Sequence, residues 1–204
     1  MPAPRPRRTR ADGEQSRATI LRTAAALATV TGLDGLTLGE LARAVGMSKS
    51  GLYAHFGSKE DLQLATVDEA RRVFDDEVFE RAAAVEPGRA RLLALTEAFF
   101  VHLERRTFPG GCFFVGAALE MGTRPGRVKD RILDFQQELS RVITANAAVA
   151  IEHGELSPDE DPVVLAFELN SVIVGADAAF VLRDDSAVLE VARAVVRRRL
   201  APPT

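Results

Sequence analysis

The sequence has very few of the residues on which catalytic and metal sites usually depend. Its 204 residues include one cysteine, three histidines, one tyrosine and no tryptophan. A single cysteine excludes an internal disulfide, which fits a reducing compartment, and no two histidines or cysteines have the spacing of metal ligands. A cysteine hydrolase would need a histidine base beside Cys112, and no such signature accompanies it. We therefore expect no enzyme, no metal and no cofactor.

Signals for export and for membrane insertion are also missing. Residues 1–14 contain four arginines and three prolines but no apolar run, so they do not have the pattern of a secretory signal. Residues 163–182 are long enough to cross a bilayer, but they include Glu168, Asn170 and Asp177, which hydrocarbon would penalise heavily. We therefore expect a cytoplasmic protein without a membrane anchor.

Charge is distributed unevenly along the chain. Residues 1–60 contain 9 Lys/Arg and 5 Asp/Glu, whereas residues 61–204 contain 17 and 24. A basic part attracts a phosphate backbone, and an acidic part is repelled by it. Since 47% of the residues are hydrophobic, a chain of this length is able to bury a substantial core.

Residues 36–62 carry the most informative pattern. Thr37 and Glu40 have the spacing of a capping box, in which the threonine oxygen accepts a free amide and the glutamate reaches back. Apolar residues then recur on one face for about two turns, and Gly46 ends the helix because a left-handed residue is the usual exit. Ser48 is a natural N-cap for a second helix. The apolar face consists of Leu38, Leu41, Ala42 and Val45.

The second helix is too short to persist alone, because nucleation is costly and few hydrogen bonds follow it. Leu52 and Phe56 lie one turn apart and are predicted to pack it onto its neighbours, which leaves its other face free. Helix-turn-helix proteins present such a face to the DNA major groove, with its first turn nearest the base edges. The alternative is an αα-hairpin whose polar face is merely solvated. The free face carries Lys49, Ser50, Tyr53 and Ala54, with His55 nearby.

A further helix follows directly. Ser58 and Asp61 are predicted to cap it, which places Lys59 beside its N-terminus. Free amides and a cation together form a site for phosphate. The sequence therefore predicts a contact between Lys59 and the DNA backbone.

This stretch resembles the DNA-binding domain of the TetR family of transcriptional repressors, most specifically in the run GLYAHFGSKEDL. The close match covers about residues 16–67, and the rest of the chain agrees only in length and helical character. The resemblance implies a homodimer, a palindromic operator in double-stranded DNA, and a C-terminal domain that binds a small molecule and thereby releases the DNA. The matching residues are Thr37, Glu40, Leu41, Ala42, Gly46, Ser48, Leu52, Tyr53, His55, Phe56, Ser58, Lys59 and Leu62.

The same resemblance implies roles for single residues. Thr37, Tyr53, His55 and Lys59 would hold phosphates, and Lys49, Ser50 and Ala54 would lie along the bases. Gly39 stands where some relatives carry a base-reading side chain, so base recognition would rest more on those three residues. The full set predicted to bind DNA is Thr37, Ser48, Lys49, Ser50, Gly51, Tyr53, Ala54, His55 and Lys59.

The whole chain is predicted to be all-α, with about nine helices and no strand alternation. Residues 1–14 are expected to be a disordered basic arm, which either contacts DNA or is a solvated tail. Residues 15–60 are expected to form a three-helix helix-turn-helix domain (the reading head), and residues 61–204 a helical domain for effector binding and dimerisation (the body). Outside the helix-turn-helix, helices are predicted over residues 15–31, 59–84, 89–106, 112–122, 127–153, 159–182 and 186–200, with Ser157 and Glu160 as a capping box.

The last two helices are predicted to form the homodimer interface. Residues 163–182 are apolar on nearly every face, which indicates a helix covered on two sides. Two such helices from each of two chains would make a four-helix interface with two-fold symmetry. The alternative is a helix central to its own monomer. The final helix places Val188, Ala192, Val195, Val196 and Leu200 on one face.

The effector site is expected between helices of the body, as an apolar pocket with a few polar groups. Ten of the eleven phenylalanines follow Asp61, which favours a small apolar or aromatic effector. The polar candidates are equally compatible with satisfied residues of the core or the dimer interface. The predicted effector-binding residues are Phe99, His102, Phe113, Glu120, Met121, Phe135, Phe167 and Asn170.

The expected mechanism links the two parts. An effector in the body would shift the fourth helix and change the separation of two reading heads, which must lie about 34–36 Å apart to enter successive major grooves. The alternatives are an activator, a regulator that answers a protein partner, and a sensor of Cys112 oxidation. A helix N-terminus would favour the Cys112 thiolate that a sensor needs, whereas the simpler interpretation is a small buried hydrophobe.

Overall fold

The computed structural model describes residues 10–203, with side chains from residue 16 onwards. These residues form nine helices and no strand, which confirms the all-α prediction. Residues 1–9 of the predicted arm lie outside the described residues. The helices are α1 (Arg10–Thr31), α2 (Leu38–Ala44), α3 (Lys49–Tyr53), α4 (Lys59–Phe74, a π-helical turn Asp75–Phe79, and Glu80–Ala83), α5 (Arg89–Glu104), α6 (Phe113–Met121), α7 (Arg127–Glu152), α8 (Pro162–Arg183) and α9 (Ala187–Arg199).

Two helix starts differ from the prediction. Helix α1 begins at Arg10, so its first five residues belong to the segment that was expected to be an arm. Helix α8 begins at Pro162, because Asp161 is its N-cap and accepts the backbone N–H of Val163 at 2.7 Å. The predicted capping box of Ser157 and Glu160 is therefore wrong: a stronger cap with proline at the first helical position follows it.

Helix α1 connects the reading head to the body. It packs against α2 in the head and against α4 and α6 in the body. Behind α4 the body continues through contacts of α4 with α7, α7 with α8, and α8 with α9. One hydrophobic core runs through both parts, from Ile20 and Leu41 in the head to Val196 in α9. Packed side chains thus connect α4 and α6 to the head without a break.

Phenylalanine rings from four helices fill the centre of the body. Phe74 of α4 meets Phe135 of α7 edge to face, with ring centroids 4.9 Å apart. Phe114 of α6 stacks on the same Phe135 ring at 3.5 Å, and Phe99 of α5 lies 6.3 Å from Phe74. We call these four rings the ring cluster. Aromatic contacts of this kind add to the stabilisation from burial, so the cluster holds α4, α5, α6 and α7 together.

Helix α8 is covered on one side only. Its inner face is buried, whereas Val163, Phe167 and Leu182 of its outer face are 62%, 73% and 85% exposed. The single chain therefore covers one side of α8, and cover of the other side by a second copy of the chain stays a prediction. Helix α8 also has the length and apolar composition of a membrane span, with a mean hydropathy of 1.7, as the core helix of a soluble protein can. Its outer face is an apolar surface of the kind found at protein interfaces.

Candidate nucleic-acid interface

The start and end of α2 are fixed by local hydrogen bonds. The Thr37 hydroxyl accepts the backbone N–H of Glu40 at 3.2 Å and donates to the Glu40 carboxylate at 2.9 Å. The predicted cap is present, although the glutamate reaches the hydroxyl and not the backbone amide. Gly46 adopts φ 67°, and the N–H of Met47 returns to the carbonyl of Ala42 at 2.9 Å. This left-handed exit sets the turn between α2 and α3.

Helix α3 is supported from behind, as the sequence predicts. It has five residues, and Ser48 caps it by accepting the N–H of Gly51 at 3.1 Å. Leu52 and Phe56 are 0% and 2% exposed. The Arg17 guanidinium of α1 lies over the Phe56 ring, 5.0 Å from its centroid. The outer face of α3 is consequently not needed to hold the helix in place.

The residues predicted to bind DNA are grouped around this outer face. Tyr53 is 52% exposed although it is a large ring. Gly51 and His55 are half-buried, and the other members of the predicted set are exposed. The Lys49 Cε atom lies 3.9 Å from the position that a Cβ on Gly39 would take, so Lys49 extends over the first turn of α2. The start of α2, the outer face of α3 and the start of α4 thereby form one polar surface, which we call the reading surface.

Lys59 is held by a residue that sequence reasoning missed. Its Nζ donates to the backbone carbonyl of Asp34 at 2.5 Å and to the Asp34 carboxylate at 3.0 Å. Arg124, beyond the end of α6, contacts the other carboxylate oxygen of Asp34 at 2.5 Å. Hydrogen bonds from Arg124 and Lys59 lower the pKa of Asp34, so this carboxylate stays ionised. Asp34 is thus shared between the reading surface and the body.

Glu120, predicted to bind the effector, joins the body to the head. Its carboxylate accepts the backbone N–H of Leu33 at 2.7 Å and that of Asp34 at 2.8 Å. Gln63 of α4 donates to the carbonyl of Leu33 at 3.0 Å. The turn between α1 and α2 is therefore bound by α6 and α4 together. In the described structure both carboxylate oxygens of Glu120 accept hydrogen bonds from this turn.

The other predicted effector residues are divided between the core and the surface. Phe99, Phe113, Met121 and Phe135 are buried in the body. Phe167 is exposed on the outer face of α8, and Asn170 is half-buried on the same helix. The structure therefore does not bring all eight predicted residues into one pocket.

A buried polar group lies beside the ring cluster. His102 is 2% exposed, and its Nδ1 lies 2.6 Å from the carboxylate of Glu77, which sits in the π-helical turn of α4. The Thr107 hydroxyl donates to the same carboxylate at 3.0 Å. The His102 ring packs edge to face on Phe74, with centroids 6.1 Å apart. Turns of π-helix are frequent at functional sites, and no periodic pattern in the sequence reveals Glu77.

Cys112 is buried at the start of α6. Burial raises the pKa of its thiol to about 12, helped by the nearby Asp177 carboxylate. Asp177 of α8 accepts the backbone N–H of Cys112 at 2.8 Å. A redox sensor needs an accessible thiolate, so this environment argues against Cys112 oxidation as the signal and agrees with a buried hydrophobe. In the part of the chain that the structure describes, no three His, Cys, Asp or Glu side chains group as metal ligands.

A groove of about 510 Å³ lies between α1 and α6, next to the contact of Glu120 with the head. Thr29, Gly116 and Glu120 line it, together with Phe113. On its other side the Phe113 ring meets the Phe114 ring, 5.4 Å between centroids. Phe113 thus separates the groove from the ring cluster.

Two family models match the chain. One, described as "Bacterial regulatory proteins, tetR family", covers residues 20–66. The other, described as "Tetracyclin repressor-like, C-terminal domain", covers residues 88–196, which is more than half of the chain. The first match contains α2, α3 and the start of α4, and hence the reading surface. No curated protein matches the sequence.

Solved structures of the same fold span nearly the whole chain. A TetR transcriptional regulator from Chloroflexus aurantiacus J-10-FL has a TM-score of 0.84 and 26% identity, covering 92% of this chain and 95% of its own. The regulator CifR, a cysteine mutant solved with a 26-base-pair operator, has a TM-score of 0.75 and 26% identity, covering 96% and 98%. SCO4454, a TetR-family regulator from Streptomyces coelicolor, has a TM-score of 0.77 and 24% identity, covering 92% and 95%.

Proposed function

Because the chain belongs to the TetR family of bacterial transcriptional regulators, we propose that it is a homodimeric repressor released from a palindromic operator by a small molecule. Members of the family are regulators and not enzymes. One observation carries the proposal: Leu52 and Phe56 support α3 from behind while Lys49, Ser50, Tyr53 and Ala54 stay exposed in front. A polar face that is exposed in this way fits the DNA major groove. We expect such a regulator to act in the cytoplasm.

The reading surface divides into two kinds of DNA contact. We assign Lys49, Ser50 and Ala54 to the bases, because the first turn and outer face of a recognition helix lie deepest in the groove. Thr37, Tyr53, His55 and Lys59 are assigned to phosphates at its edges, where contacts fix the position of the protein without reading sequence. Ser48 and Gly51 keep α3 capped at the same edge. CifR, at 26% identity, is a relative whose structure holds operator DNA.

The outer face of α8 supports the homodimer. Val191 of α9 is also exposed, at 65%, whereas Ala192, Val196 and Leu200 of the α9 face predicted for the interface are buried within the chain itself. A second copy of the chain would cover this surface by the two-fold arrangement that is commonest among oligomers. Ser171, Gly175 and Ala178 on the same face are small, so two helices are able to approach closely there.

The effector site is assigned to the ring cluster and the polar group beside it. Phe99, Phe113 and Phe135 would contact an apolar or aromatic molecule, and His102 with Glu77 would hold a polar part of it. Because the rings already pack on one another, a ligand has to displace them. Phe74 belongs to α4, which begins at the reading surface with Lys59. Displaced rings would therefore move α4, and the ligand changes DNA affinity only by its preference for the moved state.

Genomic footprinting of the purified protein tests the proposal. We expect a small number of sites with two inverted half-sites, centred about one helical turn apart. The genes beside these sites then supply candidate effectors, each of which is added to the protein–operator complex. Binding without inverted symmetry would contradict the dimer, and an effector that binds tightly but leaves operator affinity unchanged would contradict ligand release.

A further inference from the structure

We infer that Asp34 limits the strength of DNA binding by holding Lys59 back from phosphate, and that Arg124 weakens this hold. Asp34 lies in the turn between α1 and α2, Lys59 starts α4, and Arg124 follows α6 in the body. The inference rests on the proposed phosphate contact of Lys59, and it adds a residue that sets how available that contact is.

The geometry places one carboxylate between two cations. One oxygen of Asp34 accepts from Lys59 at 3.0 Å and the other faces Arg124 at 2.5 Å. The Lys59 ammonium also donates to the Asp34 carbonyl, so two of its three N–H groups are used inside the protein. The side chains of Lys59 and Asp34 are 49% and 45% exposed, so incoming DNA is able to reach them.

A DNA phosphate and the Asp34 carboxylate compete for the same ammonium group. Both are anions that accept hydrogen bonds from Lys59, and bringing them to opposite sides of one cation places two negative charges close together. Binding DNA therefore requires Lys59 to exchange at least one internal hydrogen bond for the phosphate. Arg124 neutralises part of the Asp34 charge and so makes that exchange easier.

The body controls this competition through two contacts. Glu120 binds the backbone N–H groups of Leu33 and Asp34, which fixes where the Asp34 carboxylate stands relative to α6. Arg124 lies three positions after Met121, the last residue of α6. A rearrangement of the residues after α6 that leaves the Glu120 contact in place therefore changes how closely Arg124 approaches Asp34. Lys59 is released more readily when Arg124 is close than when it is distant.

Four single variants and one double variant test the inference on the full-length protein. The probe is a fluorescent duplex of about 30 base pairs and arbitrary sequence at low salt, because phosphate contacts act on any sequence. We expect Asp34→Asn to tighten binding about threefold per reading head, the size of an exposed ion pair. We expect Arg124→Gln to weaken it by a similar factor. Lys59→Ala sets the baseline, and Glu60→Gln is the control.

The control Glu60→Gln removes a negative charge next to Lys59 but does not remove the contact of Asp34 with Lys59. Glu60 follows Lys59 and is exposed, and its ion pair is with Arg127. If Glu60→Gln tightens binding as much as Asp34→Asn does, the effect is general charge repulsion and the inference is overturned. It is also overturned if Asp34→Asn weakens binding, because Asp34 would then position Lys59 for the phosphate.

The double variant Asp34→Asn/Arg124→Gln distinguishes two roles of Arg124: an indirect one, in which it weakens the hold of Asp34 on Lys59, and a direct contact with DNA. In the Asp34→Asn background we expect Arg124→Gln to have little effect, because its target is gone. An undiminished loss would overturn the role of Arg124. If Lys59→Ala leaves DNA affinity unchanged, the proposed phosphate contact of Lys59 is contradicted. If Lys59→Ala weakens binding but Asp34→Asn leaves it unchanged, only the inference about Asp34 is overturned. Thermal melting of each variant shows whether the head stays folded. If Asp34→Asn unfolds the turn, Arg124→Gln still tests whether Arg124 weakens the hold of Asp34 on Lys59.

Discussion

The Glu120 carboxylate in α6 accepts the backbone N–H of Leu33 at 2.7 Å, across 87 positions of the chain. The same carboxylate binds the N–H of Asp34, so one side chain caps two amides of the turn that leads into α2. This contact makes α6 part of the support of the reading head. The position of α2 and α3 consequently depends on the position of α6 in the body.

Glu120→Gln is expected to weaken this support. The amide retains one acceptor oxygen but turns an NH₂ group toward a backbone N–H, which leaves a half-buried donor without a partner. We expect a loss of about 1–3 kcal/mol in the free energy of unfolding, measured by urea denaturation. Hydrogen exchange at Leu33 and Asp34 should accelerate more than exchange in α8. The control is Glu152→Gln, an exposed carboxylate at the end of α7, and equal losses in both variants would contradict the role of Glu120.

Local patterns made the head predictable. The caps at Thr37, Ser48 and Ser58 and the inward pair Leu52 and Phe56 involve residues within one or two turns of each other, where helical spacing fixes the geometry. Helix boundaries in the body followed from the same kind of signal, since glycine and proline mark the ends of most of them.

Contacts between distant polar residues were not predictable. Asp34 and Lys59 are 25 positions apart, and Glu120 and Leu33 are 87 positions apart. No periodicity records such a pairing, because each partner lies on a different element whose orientation depends on the whole fold. The exposure of Phe167 was not predictable for a related reason: an apolar residue on an exposed helix face has the same sequence pattern as one buried in its own core.

Phe167→Glu is expected to disrupt the proposed homodimer. Phe167 is 73% exposed on the outer face of α8, and a carboxylate there would be buried without a partner when two copies meet. We expect dimerisation to weaken by at least about 2 kcal/mol, seen as dissociation in sedimentation at micromolar concentration. Leu119→Glu is the control, because Leu119 is 79% exposed on α6 and not on α8. A fully dimeric Phe167→Glu variant would place the interface elsewhere.

Lys49 and Tyr53 are expected to contribute to DNA binding in different ways. Lys49→Ala should reduce the preference for the operator over unrelated DNA by about 1–3 kcal/mol, as loss of a good base contact does. Tyr53→Phe should weaken binding to all sequences alike, by about 0.5–1.5 kcal/mol, because it removes one hydrogen bond to phosphate. Titrating both variants with operator and unrelated duplexes measures the difference. A uniform loss for Lys49→Ala would show that Lys49 contacts phosphate.

Asp177 is expected to make stability depend on pH between about 4 and 6. Burial raises the pKa of Asp177 from 3.8 to about 6, opposed in part by the N–H of Cys112. Between these values the folded protein holds a proton that the unfolded chain has lost, so the free energy of unfolding decreases as pH rises. A shift of this size corresponds to about 3 kcal/mol, lost by the time the pH exceeds 6. Urea denaturation across pH 4–8 measures it.

Asp177→Asn isolates this contribution. The asparagine oxygen still accepts the N–H of Cys112, but the side chain carries no charge to bury. Its stability should therefore exceed that of the parent above pH 6 and approach it near pH 4, with the pH slope in this window reduced. Asp185→Asn provides a control in the exposed segment between α8 and α9, where the slope should stay as in the parent. If Asp177→Asn is instead less stable than the parent at pH 7, the ionised carboxylate is worth more as a cap for α6 than its burial costs.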